Sequence, residues 1–399
     1  MVLKSALGGY MPYADRLDLA PLFAFNLNFV CTSRLRHSEY FQIINTHHFR
    51  HDLKPEQRVQ IPLTSSRNQV HYVLCSNMPA KTITGPLIGV PKEKRFTQQL
   101  ACKLYTIARQ HSEILSDEKN TSEGAKRSPI TLVCISDTHN TTPSLPEGDI
   151  LLHAGDLSQY GTFAEIQAQL TWLAAQPHEH KIIIAGNHDL LLDTSFVTAH
   201  PDRELDKFSG SRRGDLAWGD VRYLEHEAID LVVKDRNVRV FGSPWTPQFG
   251  NFAFQYGDQD KQWAGWAGAI PPETDIFLTH GPPAMHLDDD GKGCKELLSE
   301  LWRARPAIAL CGHIHASRGQ EWLQFDRAQG WYEAIMLCQK PWLNVFLLAV
   351  YVAWIAMMRA IGFASKARSA GNIGTHLVNA AVVGGRGNSE HRDPIVLTI

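Results

Sequence analysis

The sequence predicts an α/β fold, and two observations support this prediction. Five short runs are apolar at consecutive positions and end in Gly, Ser or His: ITLVCIS, DILLHAG, HKIIIAG, DIFLTHG and AIALCGH. Such runs are typical of strands that are buried on both faces in a sheet covered by helices. Between the second and third runs, TFAEIQAQLTWLAAQ has the apolar spacing of a helix, which indicates a strand–helix–strand unit.

The individual elements follow from local signals. The helix after the second run begins with a capping-box pattern, formed by Thr162 and Glu165. Its apolar stripe consists of Phe163, Ile166, Leu170 and Leu173. Further along, RYLEHEAIDLVV followed by VRVFGSP predicts a hairpin or meander, and HLVNAAVVGG predicts a final strand that completes the sheet.

Composition narrows the class of protein. The chain has 399 residues, a formal net charge of -2 and 19 histidines. Its pI near 6.8 gives no general attraction to nucleic acid, which disfavours a nuclease. The seven cysteines are widely spaced and form no C-x-x-C pair. They are typical of reduced thiols and favour an intracellular, cytoplasmic protein.

Two regions are expected. Residues 1–129 form an N-terminal extension of uncertain order, which ends in the linker-like run SDEKNTSEGAKRS. Within it, RVQIPL and QVHYVLC predict strands, and FTQQLACKLYTIARQHSEIL predicts a helix. His47, His48 and His51 of HHFRH are interpreted as part of a solvated basic stretch rather than a metal site. Residues 130–399 form the α/β domain.

Ligand-type side chains follow the apolar runs. Residues two apart on an extended strand point to the same side, so Asp137 with His139, and His313 with His315, would each offer two ligands to one cavity. The full set of candidate metal ligands is Asp137, His139, Asp156, Asn187, His280, His313 and His315. His153 is instead interpreted as a core histidine or one that supports the ligands.

The chemistry of this set indicates a two-metal site. Carboxylates, imidazoles and an amide oxygen, without thiolate, suit Mn, Zn or Fe. Seven ligands are too many for one ion. They suit two divalent metal ions that are separated by roughly 3.5–4 Å and bridged by one carboxylate.

The motifs ISDTHN, LLHAGDLS, AGNHD, GSPWTPQFGNFAF, LTHGPP and CGHIHASRG, in this order, resemble those of the calcineurin-like metallophosphoesterases. The chain is most similar to the metallophosphoesterase-domain-containing (MPPED-like) subgroup, over residues 131–333 and near 376–399. This resemblance implies a four-layer metallophosphoesterase sandwich, in which two mixed β-sheets are flanked by helices. It also implies that one ion is held by Asp137, His139, Asp156 and His315, and that Asp156 bridges to a second ion completed by Asn187, His280 and His313.

The expected function is therefore that of a metal-dependent phosphoester hydrolase, in which a hydroxide activated by two metals attacks phosphorus. His188 is placed to protonate the leaving alkoxide. Asp189 is expected to orient His188, with a carboxylate at the surface or behind the ligands as the alternative. Trp245 and Arg318 are candidate substrate contacts, with core packing and a solvated loop as their respective alternatives.

Departures from the superfamily pattern narrow the substrate. The stretches GDLSQYG and GNHDLLL lack the arginines with which the related protein phosphatases grip a phosphoryl group. This favours a phosphodiester or small phosphomonoester over a phosphoprotein. A lipid phosphoester and a non-catalytic metal-binding scaffold are the alternatives.

An apolar helical insert is expected at residues 340–364. Its core, residues 342–358, is borderline for a spanning helix, which needs about 20 residues. Three placements are open: contact with a membrane surface, burial as a lid or oligomer contact, and a true span. The sequence does not indicate an oligomeric state.

Overall fold

The computed structural model describes residues 94–113, 128–201, 211–257, 265–361 and 374–399, together with the backbone of six strands between residues 27 and 85. The chain divides into two units, residues 1–92 with 249–251 and residues 93–248 with 252–399. The basic cluster at residues 47–51 and nearly all of the expected linker lie outside the described residues.

The smaller unit contains two three-stranded sheets. Their strands are β1 (Leu27–Cys31), β2 (Tyr40–Asn45) and β3 (Ile61–Pro62), then β4 (Ser65–Ser66), β5 (Gln69–Val73) and β6 (Thr82–Gly85). Within each sheet the strands pair antiparallel. The two strands predicted here overlap β3 and β5.

The larger unit holds the five apolar runs as strands. Its strands are, in chain order, β7 (Thr131–Ile135), β8 (Ile150–Ala154), β9 (His180–Ile184), β10 (Val221–Tyr223), β11 (Glu227–Val233), β12 (Arg236–Ser243), β13 (Thr246–Pro247), β14 (Gln255–Tyr256), β15 (Ile276–Thr279), β16 (Ile308–Cys311), β17 (Gly319–Leu323), β18 (Thr375–Asn379), β19 (Val383–Gly384), β20 (Glu390–His391) and β21 (Ile395–Thr398). Its helices are α1 (Phe96–Glu113), α2 (Phe163–Ala174), α3 (Thr194–Ala199), α4 (Lys295–Ala304), α5 (Arg327–Met336) and α6 (Pro341–Ala360). The helix predicted near residue 96 is α1, and the expected capping box begins α2.

Two mixed sheets form the centre of this unit. One has the order β10-β9-β8-β7-β21, with β21 antiparallel at the edge. The other has the order β11-β12-β15-β16-β18-β17, with antiparallel strands at both edges. The predicted hairpin is β11–β12. The strand predicted to be the last is β18, which pairs with β16 and β17, but β19, β20 and β21 follow it.

The packing gives four layers. Alternate residues of both sheets, such as Leu132 on β7 and Ile276 on β15, share one buried core between the sheets. The outer face of the first sheet packs on α2, and the outer face of the second packs on α4. Because both faces of these strands are buried, their sequences are apolar at consecutive positions. The four-layer sandwich is therefore confirmed.

A three-helix group, α1 with α5 and α6, has a small core of its own. Tyr105 of α1 stacks on Tyr332 of α5 at 4.3 Å between ring centroids. Arg109 of α1 binds the carboxylate of Asp326 through two nitrogens, at 2.9 and 3.0 Å. Helix α1 thus packs against elements far along the chain, although it precedes residue 130.

Candidate metal centre

The predicted ligands lie in loops that follow strands of both sheets. Asp137, Asp156 and Asn187 come after β7, β8 and β9, and His280 and His313 come after β15 and β16. The carboxyl ends of these parallel strands meet at one edge of the sandwich, so side chains distant in sequence come together. The remaining ligands, His139 and His315, lie farther along the first and last of these loops.

Three overlapping groups of ligand atoms form there, and the atoms of each group lie within 4.8 Å of one another. The groups are Asp137, His139 and His315; His139, Asp156 and His188; and Asp156, His280 and His313. Asn187 joins the last group, because its Oδ1 lies 3.0 Å from Nε2 of His280. All seven predicted ligands therefore converge. His139 and Asp156 each belong to two groups, and the expected bridging carboxylate, Asp156, is one of them.

The backbone of the ligand loops differs from the expected extended strand. Strand β7 ends at Ile135, before the first ligand. Asp137, His139, Asp156 and His313 all have left-handed backbone, with φ between 42° and 66°. The prediction that strand alternation brings Asp137 and His139 together is therefore wrong. Instead, their amides donate to the carbonyls of Gly155 and Asp156, which ties the two loops together. Such backbone is costly for residues other than glycine and is often found at functional sites.

Two glycines let the chain pass against the ligand carboxylates. A Cβ on Gly186 would lie 2.2 Å from Oδ1 of Asp156, and a Cβ on Gly312 would lie 2.1 Å from Oδ2 of Asp137. Both distances are far inside van der Waals contact. The glycines of the G-N-H and G-H motifs are therefore required by close approach to the ligands.

Charge pairing is strong at the centre of the site. Asp156 is buried, and burial alone would raise its pKa, but His280 and His188 hold that pKa well below its usual range. Burial alone would lower the pKa of His280, but Asp156, with Oδ2 3.3 Å from Nε2, raises it to about 9. The carboxylate of Asp156 and the imidazole of His280 thus stabilise each other's charged form.

A carboxylate and an imidazole are also paired in the group of Asp137, His139 and His315. Burial alone would raise the pKa of Asp137, but His315, with Nε2 3.2 Å from Oδ1, lowers it to about 2. The main-chain amide of His313 also donates to both carboxylate oxygens of Asp137, at 3.0 Å each.

His139 shows that the site suits metal ions. It is only 8% exposed, and neither ring nitrogen has a hydrogen-bond partner among the described residues. Burial lowers its pKa to about 4, so the ring is neutral and has a lone pair to donate. A buried imidazole without partners costs free energy unless a cation binds it. Together with the carboxylates and the Asn187 oxygen, it forms a donor set that fits divalent metal ions.

Backbone carbonyls orient two of the histidines. Nδ1 of His280 donates to the carbonyl of Ala154 at 2.9 Å, which leaves Nε2 facing Asp156. Nδ1 of His188 donates to the carbonyl of Gln159 at 2.8 Å. Supports of this kind fix the tautomer and orientation of a ring. Sequence reasoning missed both, because a carbonyl leaves no signal in the residue type.

His188 lies at the edge of the ligand groups. Its ring meets that of His139 edge-on, at 4.8 Å between centroids, and its amide donates to Oδ1 of Asp156 at 2.7 Å. With Nδ1 held by Gln159, the other ring nitrogen, Nε2, is the one left to interact with a bound molecule.

Asp189 does not orient His188 as expected. Its buried carboxylate accepts hydrogen bonds from the amides of Leu157, Ser158 and Gly186 and from the hydroxyl of Ser158, at 2.7–3.2 Å. It therefore joins the loop after β8 to the loop after β9, which matches the alternative of a carboxylate behind the ligands. The oxygens of Asp189 are taken by these donors, and Nδ1 of His188 is taken by the carbonyl of Gln159.

The two expected substrate residues have structural contacts instead. The guanidinium of Arg318 donates to the carbonyls of Ala381 and Asp393, at 2.9 and 2.5 Å, which does not match the expected phosphate contact. Trp245 is partly buried and packs edge-on against Phe254, which favours the core-packing alternative.

His153 is a core histidine, as interpreted. It is fully buried, accepts from the amide of Gly155 at 3.2 Å and lies 3.0 Å from the hydroxyl of Thr138. It thereby links the loop after β7 to the loop after β8. A contact that sequence reasoning missed is that of Arg392, which donates to the carbonyl of His315 at 2.6 Å.

Comparison with known proteins places the chain in a family. Residues 130–317 match the family described as calcineurin-like phosphoesterase. The chain is 37% identical over 199 residues to metallophosphoesterase domain-containing protein 1 of Homo sapiens, which is 47% of this chain and 61% of that protein. It is 32% identical over 221 residues to a UPF0046 protein of Caenorhabditis elegans, covering 52% of this chain and 74% of that protein.

Another relative is the probable rhamnogalacturonate lyase C of Emericella nidulans, 41% identical over 273 residues. That match covers 68% of this chain but 24% of the relative. The chain thus spans less than two thirds of the fungal and human relatives. Because it covers most of the worm protein and matches the family over the ligand loops, the chain belongs to the calcineurin-like phosphoesterases, alongside the metallophosphoesterase-domain-containing and UPF0046 proteins.

Proposed function

We propose that the chain hydrolyses phosphoester bonds with two divalent metal ions. The observation that carries this proposal is that Asp156 belongs to two ligand groups, one with His139 and one with His280 and His313. A carboxylate shared between two groups is what a dinuclear site requires. The oxygen and imidazole donors support Mn, Zn or Fe as the ions.

The ions, when bound, would supply Lewis acidity and a water of lowered pKa. Asp137, His139 and His315 would hold one ion, Asn187, His280 and His313 would hold the other, and Asp156 would bridge them. The carbonyl of Ala154 keeps Nε2 of His280 directed into the site.

His188 would act as the general acid. Its Nδ1–H donates to the carbonyl of Gln159, so the imidazolium form would give its Nε2 proton to the leaving oxygen and become the neutral Nδ1–H ring. Its ring also packs 5.0 Å from that of Phe252, which limits its rotation. We assign no catalytic role to Asp189, because its carboxylate is committed to the loop amides.

A phosphodiester or a small phosphomonoester is the substrate class we favour. No arginine follows Asp156 or Asn187 closely, and Arg318 binds main-chain carbonyls. Without a bidentate guanidinium clamp, a doubly charged phosphoprotein group would be poorly held. The lyase activity named for the fungal relative is not proposed here, because the match covers 24% of that protein.

A lipid phosphoester is the second candidate substrate, and the exposed apolar face of α6 favours it. A non-catalytic scaffold is less well supported, since every expected ligand and His188 are retained. We further propose an intracellular protein, and the free thiols of Cys102, Cys134 and Cys311 support a reducing compartment.

Turnover after metal reconstitution tests the proposal. The protein would be stripped, reloaded with Mn or Zn, and assayed on bis-p-nitrophenyl phosphate and p-nitrophenyl phosphate. We expect metal-dependent activity on the diester that collapses in His188→Ala and Asp156→Ala. His180→Ala is a matched control, because His180 begins β9 at the opposite end from the ligands. Absence of turnover in a protein that binds two ions would refute hydrolysis of these esters and support the scaffold.

A further inference from the structure

Helix α6 exposes an apolar face. It has 20 residues, and among the described residues it is the one helix long and apolar enough to cross a membrane by length and composition. Large side chains recur along one side: Trp342 is 65% exposed, Phe346 63% and Trp354 54%. Val350, Met357 and Ile361 are exposed on the same stripe. A contiguous apolar surface of this kind marks a site of interaction.

The fold excludes a single crossing of a membrane by α6. Strand β17 precedes α5 and α6, strand β18 follows them, and the two strands are paired from Gly319–Asn379 to Leu323–Thr375. A helix of this length is about 30 Å long, the thickness of the hydrocarbon core. A crossing would therefore separate two hydrogen-bonded strands by the bilayer.

The opposite face of α6 is already used. Val345 and Leu348 are buried against Ala101 and Tyr105 of α1 and Tyr332 of α5. Because this docking fixes the helix on the protein, the exposed stripe points outward as part of a rigid surface. Helix α1 enlarges that surface, since Phe96 is 67% exposed and its ring lies 6.2 Å from that of Trp342.

Charge indicates what covers this surface. Residues 340–361 contain no Asp or Glu, and basic residues stand at both ends of the helix, Lys340 before it and Arg359 in its last turn. The exposed Arg95 precedes Phe96 on α1. Apolar and tryptophan side chains with basic residues at the rim are typical of segments that lie in the interface of an anionic membrane.

We propose that the stripe of α6, together with Phe96, docks on the surface of a bilayer containing anionic lipid, with α6 parallel to the membrane plane. A second copy of the chain fits less well. Antiparallel packing of two α6 helices would bring Lys340 of each copy near the last turn of the other helix, which carries Arg359 and no acidic residue.

Vesicle co-sedimentation of the full chain tests the proposal without turnover. The probes are phosphatidylcholine vesicles with and without about one third phosphatidylserine, at two salt concentrations. We expect binding to the anionic vesicles that weakens with salt. Phe346→Gln and Trp354→Gln should each weaken it roughly tenfold, because each removes a large apolar side chain from the interface. Lys340→Glu should weaken it roughly fivefold or more on anionic vesicles alone.

Matched controls lie elsewhere on the surface. Val232 on β11 is 63% exposed and Trp322 on β17 is 46% exposed, so Val232→Gln and Trp322→Gln remove similar side chains away from α6. Both should bind vesicles as the unaltered chain does. Circular dichroism checks that every variant folds.

Two results would overturn the proposal. One is the absence of binding to anionic vesicles by the unaltered, folded chain. The other is a concentration-dependent dimer, seen by analytical ultracentrifugation, that Phe346→Gln and Trp354→Gln dissociate while vesicle binding is unchanged. The second result would assign the surface to another copy of the chain. Neither result bears on hydrolysis at the metal centre.

Discussion

Replacing Gly186 with alanine should disable the metal centre while leaving the fold in place. The new Cβ would lie 2.2 Å from Oδ1 of Asp156, 2.3 Å from its amide nitrogen and 2.6 Å from Cε1 of His280. The amide nitrogen belongs to the backbone and cannot rotate away. Because the φ of Gly186 is not in the left-handed region, the added methyl is the sole change that matters.

The size of the effect follows from these distances. Ordinary contact requires at least about 3.4 Å, so the carboxylate of Asp156 must shift by roughly 1 Å. A displacement of that size can lower turnover about 100-fold. Loss of ligand support typically lowers metal affinity about 10–100-fold. Overpacking should also lower the free energy of unfolding, by about 1–3 kcal/mol.

Isothermal titration of the stripped protein with Mn or Zn measures the affinity, and diester hydrolysis measures the turnover. The matched control is Gly214→Ala, since a Cβ on Gly214 would meet no atom within 4 Å. We expect Gly214→Ala to behave as the unaltered chain. If Gly186→Ala bound metal and turned over as this control does, the close approach of the loop to Asp156 would not be a requirement of the site.

Three further changes test individual contacts. Asp189→Asn should lower the free energy of unfolding by about 1–3 kcal/mol in denaturant titration. The reason is that the new NH2 group would face main-chain N–H groups that now donate hydrogen bonds to the carboxylate. An unchanged stability would contradict this. Burial alone would lower the pKa of His286, but its pairing with Glu321 and Glu333 raises that pKa to about 10. The stability that this pairing contributes should be complete below about pH 6.5 and should be lost as the pH rises towards 10. Thermal melts should show this decline, and the His286→Phe variant should lack it. Arg318→Ala should lower the melting temperature but leave the KM for the diester unchanged, since its guanidinium binds main-chain carbonyls; a raised KM would restore its role as a substrate contact.

The strands could be predicted because their signal is local. Each core strand is buried on both faces, so its side chains are apolar at consecutive positions, as at residues 132–135 of β7. The helix with the capping box was found for the same reason. The group of α1, α5 and α6 was not predicted as a unit, because it depends on contacts between distant segments, such as Arg109 with Asp326.

The identities of the ligands were predictable, but their arrangement was not. Carboxylates and imidazoles after successive strands indicate a metal site whatever the loop conformation. The left-handed backbone at Asp137 and Asp156 depends on bonds between loops, and single residues do not encode such bonds. The same limit applies to Asp189, whose partners lie on another loop, and to the carbonyl that holds His188.

One loop of the metal centre and the surface of α6 lie on the same continuous segment, yet the two sites can be altered separately. The loop with His313 and His315 leads into β17, then α5 and α6, before the chain returns in β18. None of the exposed side chains of α6 belongs to a ligand group, and the buried face of the helix, with Val345 and Leu348, holds it on α1 and α5. Loss of lipid turnover with normal turnover of a soluble diester would therefore report on docking alone. Loss of both would report on the metal centre, since the soluble diester does not require the membrane.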